Sequence, residues 1–143
     1  MKIGFIGGGN MGEAMIRGVL GKGLSAPDDI RVTDISAPRL DALRKTYIIK
    51  TNEDYRATTE GADAVVLAVK PQNLTEVMPM LRGRLESGQL VISIIAGARI
   101  CAIADGLDHR PVVRAMPNTP AQVSAGISVW TAAAEVSQRQ KEI

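Results

Sequence analysis

The run KIGFIGGGNMGEAMIRG, residues 2 to 18, places glycines at 7, 9 and 12 in the spacing G-x-G-x-x-G. Glycine costs backbone entropy in regular structure, so three at fixed offsets need a steric reason. A five-residue strand pattern enters the run and an amphipathic helix pattern leaves it, which is the setting that seats a pyrophosphate. Gly7 then makes the tight turn, Gly9 lets the anion approach the backbone, and Gly12 lets helix and strand pack closely. The helix start offers free N–H groups and a positive dipole end. A tight turn with no ligand is the plain alternative. Asp34 ends the next strand pattern, 22 residues after Gly12, where an acid takes the adenosine ribose hydroxyls. Its carboxylate would repel a 2′-phosphate, which leans the reading towards NADH over NADPH. Ser36 and Arg39 stand close by and either receive a phosphate or simply cap a helix and meet solvent.

Further along, LAVKPQ (67–72) closes a strand pattern in Lys70-Pro71, and proline there turns the chain over the strand ends. Lys70 is placed to contact cofactor oxygens or to stand solvated. IIAGA (94–98) leaves room for a flat ring after a strand. In AMPNTPAQVSAG (115–126), Pro117 and Pro120 stiffen a loop that displays Asn118 and Thr119. Cys101 reads as a buried small hydrophobe, His109 as a solvated loop residue, and Trp130 as packing the last strand on the core.

The elements that must position these residues alternate. KIGFI (2–6), IRVTD (30–34), YIIKT (47–51), AVVLAV (64–69), LVISII (90–95) and PVVRAM (111–116) read as strands, several nearly all apolar as in sheets covered on both faces. Asn10–Leu20 reads as a helix with Met11, Ala14, Met15 and Val19 on its buried face. Ser36 starts a second helix with Pro38 near its beginning, and further helices follow Asn52, Pro71 and Arg99, with Pro79 kinking or ending one. GISVWTA (126–132) reads as a late strand, antiparallel at an edge, and Ser137 with Gln140 forms a capping box. The pattern predicts an α/β, Rossmann-type doubly wound, mainly parallel sheet with helices on both faces.

Composition narrows the function classes. The 143 residues suit one domain, and a net charge of +2 without a basic block gives no case for nucleic acid or an anionic membrane. The apolar runs are too short to span a bilayer. One cysteine fits a reducing cytoplasm, and with one histidine makes a transition-metal site improbable, so no metal is expected.

IGFIGGGNMGEAMIRG, VVLAVKPQ, VISIIAG and VVRAMPNTPAQVSAG, in that order and spacing, resemble the pyrroline-5-carboxylate reductases over essentially the whole chain. The resemblance implies hydride transfer from NAD(P)H to the C=N carbon of a cyclic imino acid, giving L-proline. It implies that Gly7, Gly8, Gly9, Asn10, Met11 and Gly12 hold the pyrophosphate, and that Ala68, Val69, Lys70 and Pro71 line the ribose and phosphate path. Ala96, Gly97, Asn118, Thr119 and Pro120 would frame the nicotinamide, and Asn52 is the nearest match to a family asparagine beside the adenosine. No side chain stands out as a proton donor. The family continues into a helical domain that builds a dimer and completes the substrate pocket. Residues 1–143 are therefore expected to be the NAD(P)-binding domain, truncated before that part, in a homo-oligomer. Apolar surface is then expected near Val129, Trp130 and Val136. Two rival readings stay open: a stand-alone dinucleotide-binding module, and the cofactor domain of a β-hydroxyacid or prephenate-type dehydrogenase.

Overall fold

The structure, a computed structural model, describes residues 1–117 and 128–143. Among them seven strands form one sheet in the order β3-β2-β1-β4-β5-β6-β7. β1 (Ile3–Ile6), β2 (Ile30–Thr33), β3 (Lys50–Asn52), β4 (Ala64–Leu67), β5 (Leu90–Ser93) and β6 (Val112–Pro117) are parallel. β7 (Ser128–Ala132) pairs antiparallel with β6 at the edge. This is the Rossmann-type doubly wound sheet that the alternating pattern predicts. β1 and β4 are buried at every position, as central strands between two layers must be.

The helices are α1 (Asn10–Gly21), α2 (Ala37–Tyr47), α3 (Tyr55–Thr59), α4 (Leu74–Leu81), α5 (Ile100–Leu107) and α6 (Gln138–Lys141). They lie on both faces, with α1 and α2 on one and α3, α4 and α5 on the other. On one face Ile16 of α1 and Leu40 and Leu43 of α2 pack on Ile3, Phe5, Ile30 and Val32. On the other, Leu74, Val77 and Leu81 of α4 and Ile103 and Leu107 of α5 pack on Ile6, Leu67, Val91 and Val112. Gly4 brings α3 onto this second face, because a Cβ there would collide with the Thr58 carbonyl. Beneath β4 to β6 on the first face, Ala133 and Val136 from the segment after β7 meet Ala64, Leu90 and Val113.

Several sequence expectations need correction. The third strand is 50–52, not 47–51, because α2 runs on to Tyr47 and Ile48 then turns left-handed at φ 57°. In α1 the fully buried residue is Ile16; Met15 and Val19 are only partly buried against the core, and Met11 is not packed into it. Cys101 is exposed, because the inner face of α5 is Ile100, Ile103, Ala104 and Leu107, and Cys101 lies off it. His109 is buried, its Nε2 donating to the Gln89 carbonyl at 2.8 Å. Trp130 stays 57% exposed on β7, where none of the described helices covers it, whereas Val136 is buried. The capping box of Ser137 and Gln140 forms as expected and starts α6. Pro79 lies near the end of α4, two residues before Leu81.

Candidate functional site

β1 ends in the glycine run, and each glycine there has its own constraint. Gly7 leaves the strand at φ +103°, and a Cβ on it would sit 2.7 Å from the Ala68 carbonyl oxygen. Its N–H donates to the Thr33 carbonyl at 2.8 Å, which ties the turn to β2. A Cβ on Gly12 would lie 2.6 Å from the Gly7 carbonyl oxygen, and one on Gly8 would lie 2.6 Å from Leu43 Cδ1. Backbone contacts require glycine at positions 7 and 12, whereas a side chain at position 8 would have to displace the end of Leu43.

Gly9 is different. Nothing lies within 4 Å of a Cβ built on it, and its φ of −63° and ψ of −176° suit any residue. It is exposed and lines a cleft of about 660 Å³ at the carboxyl ends of β1, β2 and β4. It also precedes α1 without a side-chain cap, leaving first-turn N–H groups for an outside acceptor. Among the described residues nothing gives a reason for glycine here. A ligand drawn against the backbone does, and the glycine cradle fits a dinucleotide pyrophosphate.

The loop is clamped from β2 and α2. Asp34 Oδ2 accepts the Gly8 N–H at 2.7 Å and Oδ1 accepts the Ser36 N–H at 2.9 Å. The Ser36 side chain makes no capping bond. Arg39 donates from Nε to the Gly8 carbonyl and from a terminal nitrogen to Glu13 Oε2. The Gly8 backbone is therefore gripped on both sides, its N–H by the acid that follows β2 and its carbonyl by a base in the first turn of α2. Tyr47 donates its hydroxyl proton to Glu13 Oε1 at 2.8 Å. Burial alone would push the Glu13 carboxyl up, but Tyr47, Arg39 and Arg17 together hold it below the usual carboxylate range.

Of the residues singled out in the sequence, the cleft gathers Gly7, Gly9, Asn10, Asp34, Ser36, Arg39, Ala68, Val69 and Lys70. Gly8, Met11 and Gly12 support it from behind and are not in its lining. Pro71 opens a short 3-10 turn outside the lining, and Ala96 and Gly97 are exposed beyond β5. Asn52 also lies outside it; its Oδ1 accepts from the Asp54 N–H and the Thr58 hydroxyl, bracing α3. Asn118, Thr119 and Pro120 lie outside the described residues.

The cleft also contains residues that sequence reading missed. Tyr55, Glu76, Val77 and Met80 line it from α3 and α4. Burial pushes the Tyr55 hydroxyl up, and the nearby carboxylates of Asp34 and Glu76 push it further. The only sequence signal for Tyr55 is an aromatic residue just after a helix-capping acid, in a chain with few aromatics. A larger groove, about 790 Å³, lies at the opposite, amino-terminal edge of the strands, between Asp63, Glu86, Gln89 and Ser137. It is remote from the glycine loop and contains none of the candidate residues.

The model of the family described as NADP oxidoreductase coenzyme F420-dependent matches residues 2–97, well over half of the chain. The chain belongs to that family. Among relatives, the pyrroline-5-carboxylate reductase of Synechocystis sp. is 38% identical over 132 residues, covering 92% of this chain and 49% of that protein. The solved pyrroline-5-carboxylate reductase of Coxiella burnetii matches with a TM-score of 0.87 at 37% identity, over 99% of this chain and 53% of that one. The Plasmodium falciparum pyrroline carboxylate reductase, solved with NADP bound, gives a TM-score of 0.79 at 25% identity over 99% of this chain and 52% of that one. This family member thus spans about half the length of the relatives it matches. Among the described residues no helix is long and apolar enough to cross a membrane.

Proposed function

We propose that this chain is the cofactor-holding half of a pyrroline-5-carboxylate reductase. The observation that carries the reading is Gly9, whose missing side chain answers to no protein atom and opens the backbone to the cleft. The likeness to pyrroline-5-carboxylate reductases over almost the whole chain supports the substrate, a cyclic imino acid. A bound nicotinamide dinucleotide would supply the hydride that reduces the C=N bond to L-proline. The chain's own part is to hold and orient. Gly7, Gly9 and the start of α1 seat the anion, Asp34 faces the ribose, and Ala68, Val69 and Lys70 border the path towards the nicotinamide. Orientation of reacting groups is worth ~7–11 kcal/mol of a barrier.

NADH is the favoured cofactor on this reading. Two backbone N–H groups pin the Asp34 carboxylate at the cleft, so it cannot swing away from a 2′-phosphate. Arg39 is committed to Gly8 and Glu13. We further propose a homo-oligomer, supported by exposed Val129 and Trp130 on the edge strand β7, and a cytoplasmic setting, supported by the unpaired, exposed Cys101.

The test is cofactor titration followed by assay. The 143-residue chain should bind NADH yet form little proline, and the second half of a relative fused after Ile143 should restore turnover. Full activity of the short chain would show that the described cleft is the whole catalytic site. Failure of the chain to bind either cofactor would overturn the dinucleotide reading.

A further inference from the structure

Arg39 is the side chain whose position the reading above leaves unexplained. It lines the cleft beside Asp34 and Ser36, and its side chain is 28% exposed. The backbone of one residue, Gly8, separates it from Asp34: the Gly8 N–H goes to the acid and the Gly8 carbonyl accepts from the guanidinium. On the dinucleotide reading, a cation one residue's backbone from the ribose-facing acid would stand where a 2′-phosphate arrives. Planar guanidinium groups hold phosphates strongly, through paired charge-assisted hydrogen bonds. Yet this guanidinium is already held by two partners, a carbonyl on Nε and a carboxylate on a terminal nitrogen. Glu13, in the first turn of α1, takes its terminal nitrogen, and Glu13 is itself held by the Tyr47 hydroxyl at 2.8 Å. Its neighbours keep Glu13 ionised at neutral pH, so the pair is a full ion pair between α1 and α2.

We propose that Glu13 is a specificity-determining residue, which withholds Arg39 from a 2′-phosphate and so keeps the site selective for NADH. The proposal rests on the dinucleotide reading. Asp34 repels the phosphate directly; Glu13 removes the cation that would offset that repulsion. Neither effect needs Glu13 to touch the cofactor, so it acts as a positioning residue through Arg39. In the Glu13→Gln variant the amide keeps the shape and can still meet Tyr47, but the charge that binds Arg39 is gone. The guanidinium then becomes available at the cleft while its bond to the Gly8 carbonyl remains.

The experiment measures dissociation constants for NADH and NADPH, by calorimetry on the 143-residue chain, in four proteins. The wild-type chain should bind NADH more tightly than NADPH. Glu13→Gln should move the ratio towards NADPH by roughly tenfold, the scale of one charge-assisted hydrogen bond. Glu13→Ala frees Arg39 in the same way and should shift the ratio in the same sense, so a variant that misfolds does not remove the test. Glu13→Gln with Arg39→Ala should lose the gain. A merely structural Glu13 would weaken both cofactors together and leave the ratio where it was, and that result overturns the inference. So does a wild-type chain that already prefers NADPH. A wild-type chain that binds neither cofactor refutes the dinucleotide reading itself, and the inference falls with it.

Discussion

The β1–β3 half of the sheet and the β5–β7 half are built on opposite plans. In the first, α1 and α2 cover one face while α3 and the start of α4 cover the other, and Phe5, Ile6, Ile16, Ile30 and Val32 are fully buried. In the second, α4 and α5 cover one face only. Its other face is met by Ala133 and Val136 near the amino-terminal ends of the strands, and Val129 and Trp130 remain 71% and 57% exposed. The difference separates two tasks. The closed half makes a stiff frame, in which the Gly8 backbone is gripped from both sides and a ligand meets a pre-set loop. The open half presents apolar side chains and an unpaired strand edge, features that monomers usually hide. Along Ser128–Ala132 no charge or proline blunts that edge.

The comparison can be broken at several points. The largest effect should come from Gly9→Val, which ought to abolish detectable NADH binding while leaving the thermal midpoint unchanged, since no protein atom crowds that Cβ. Gly12→Val is the counterpart: it should destabilise the fold as well, because its side chain would strike the Gly7 carbonyl. Calorimetry and a melting curve on both variants separate the ligand's space from the protein's. If Gly9→Val folds normally and binds as well as wild type, the cleft is not a pyrophosphate site.

Next in size is the core of the closed half. Phe5→Ala should cost about 3–5 kcal/mol in denaturant unfolding, the usual range for a buried phenylalanine. Trp130→Ala on the open half should change monomer stability by only about 0.5 kcal/mol or less. Equal losses would show that the two halves are equally closed. Val129→Lys should instead shift the sedimentation profile from oligomer towards monomer, and an unchanged profile would remove this part of β7 from the association.

A smaller change concerns cofactor choice. Asp34→Ser should improve NADPH binding relative to NADH by removing the charge that faces the ribose, and an unchanged ratio of dissociation constants would show that the acid is only a clamp for Gly8. The smallest is a pH effect. The Glu13 carboxyl has a folded pKa held below its ordinary 4.5, so its contribution to stability is complete above that value and is lost as pH falls through the lowered one. Glu13→Gln should therefore flatten the acid limb of the stability curve below about pH 4.5 and leave its slope at neutral pH unchanged.

Local chemistry in the chain was enough for much of this. Nearly continuous apolar runs placed five of the six parallel strands, an alternating run the antiparallel edge strand and period-3.6 patterns the intervening helices, because burying an element dictates its own apolar pattern. The G-x-G-x-x-G spacing and the acid at the end of β2 likewise located the cleft, since turn geometry and strand length are local properties. Other features needed the tertiary structure because their causes lie far apart in the chain. Asp34 and Arg39 clamp the backbone of a residue 26 and 31 positions away, and the buried His109 ring is satisfied by a carbonyl 20 residues away. No window of sequence contains both partners of such contacts. Ile48 ends a helix by a left-handed turn that its branched side chain disfavours in isolation. Trp130 has the residue type of a core position, but only the placement of all five larger helices shows that none of them covers its face.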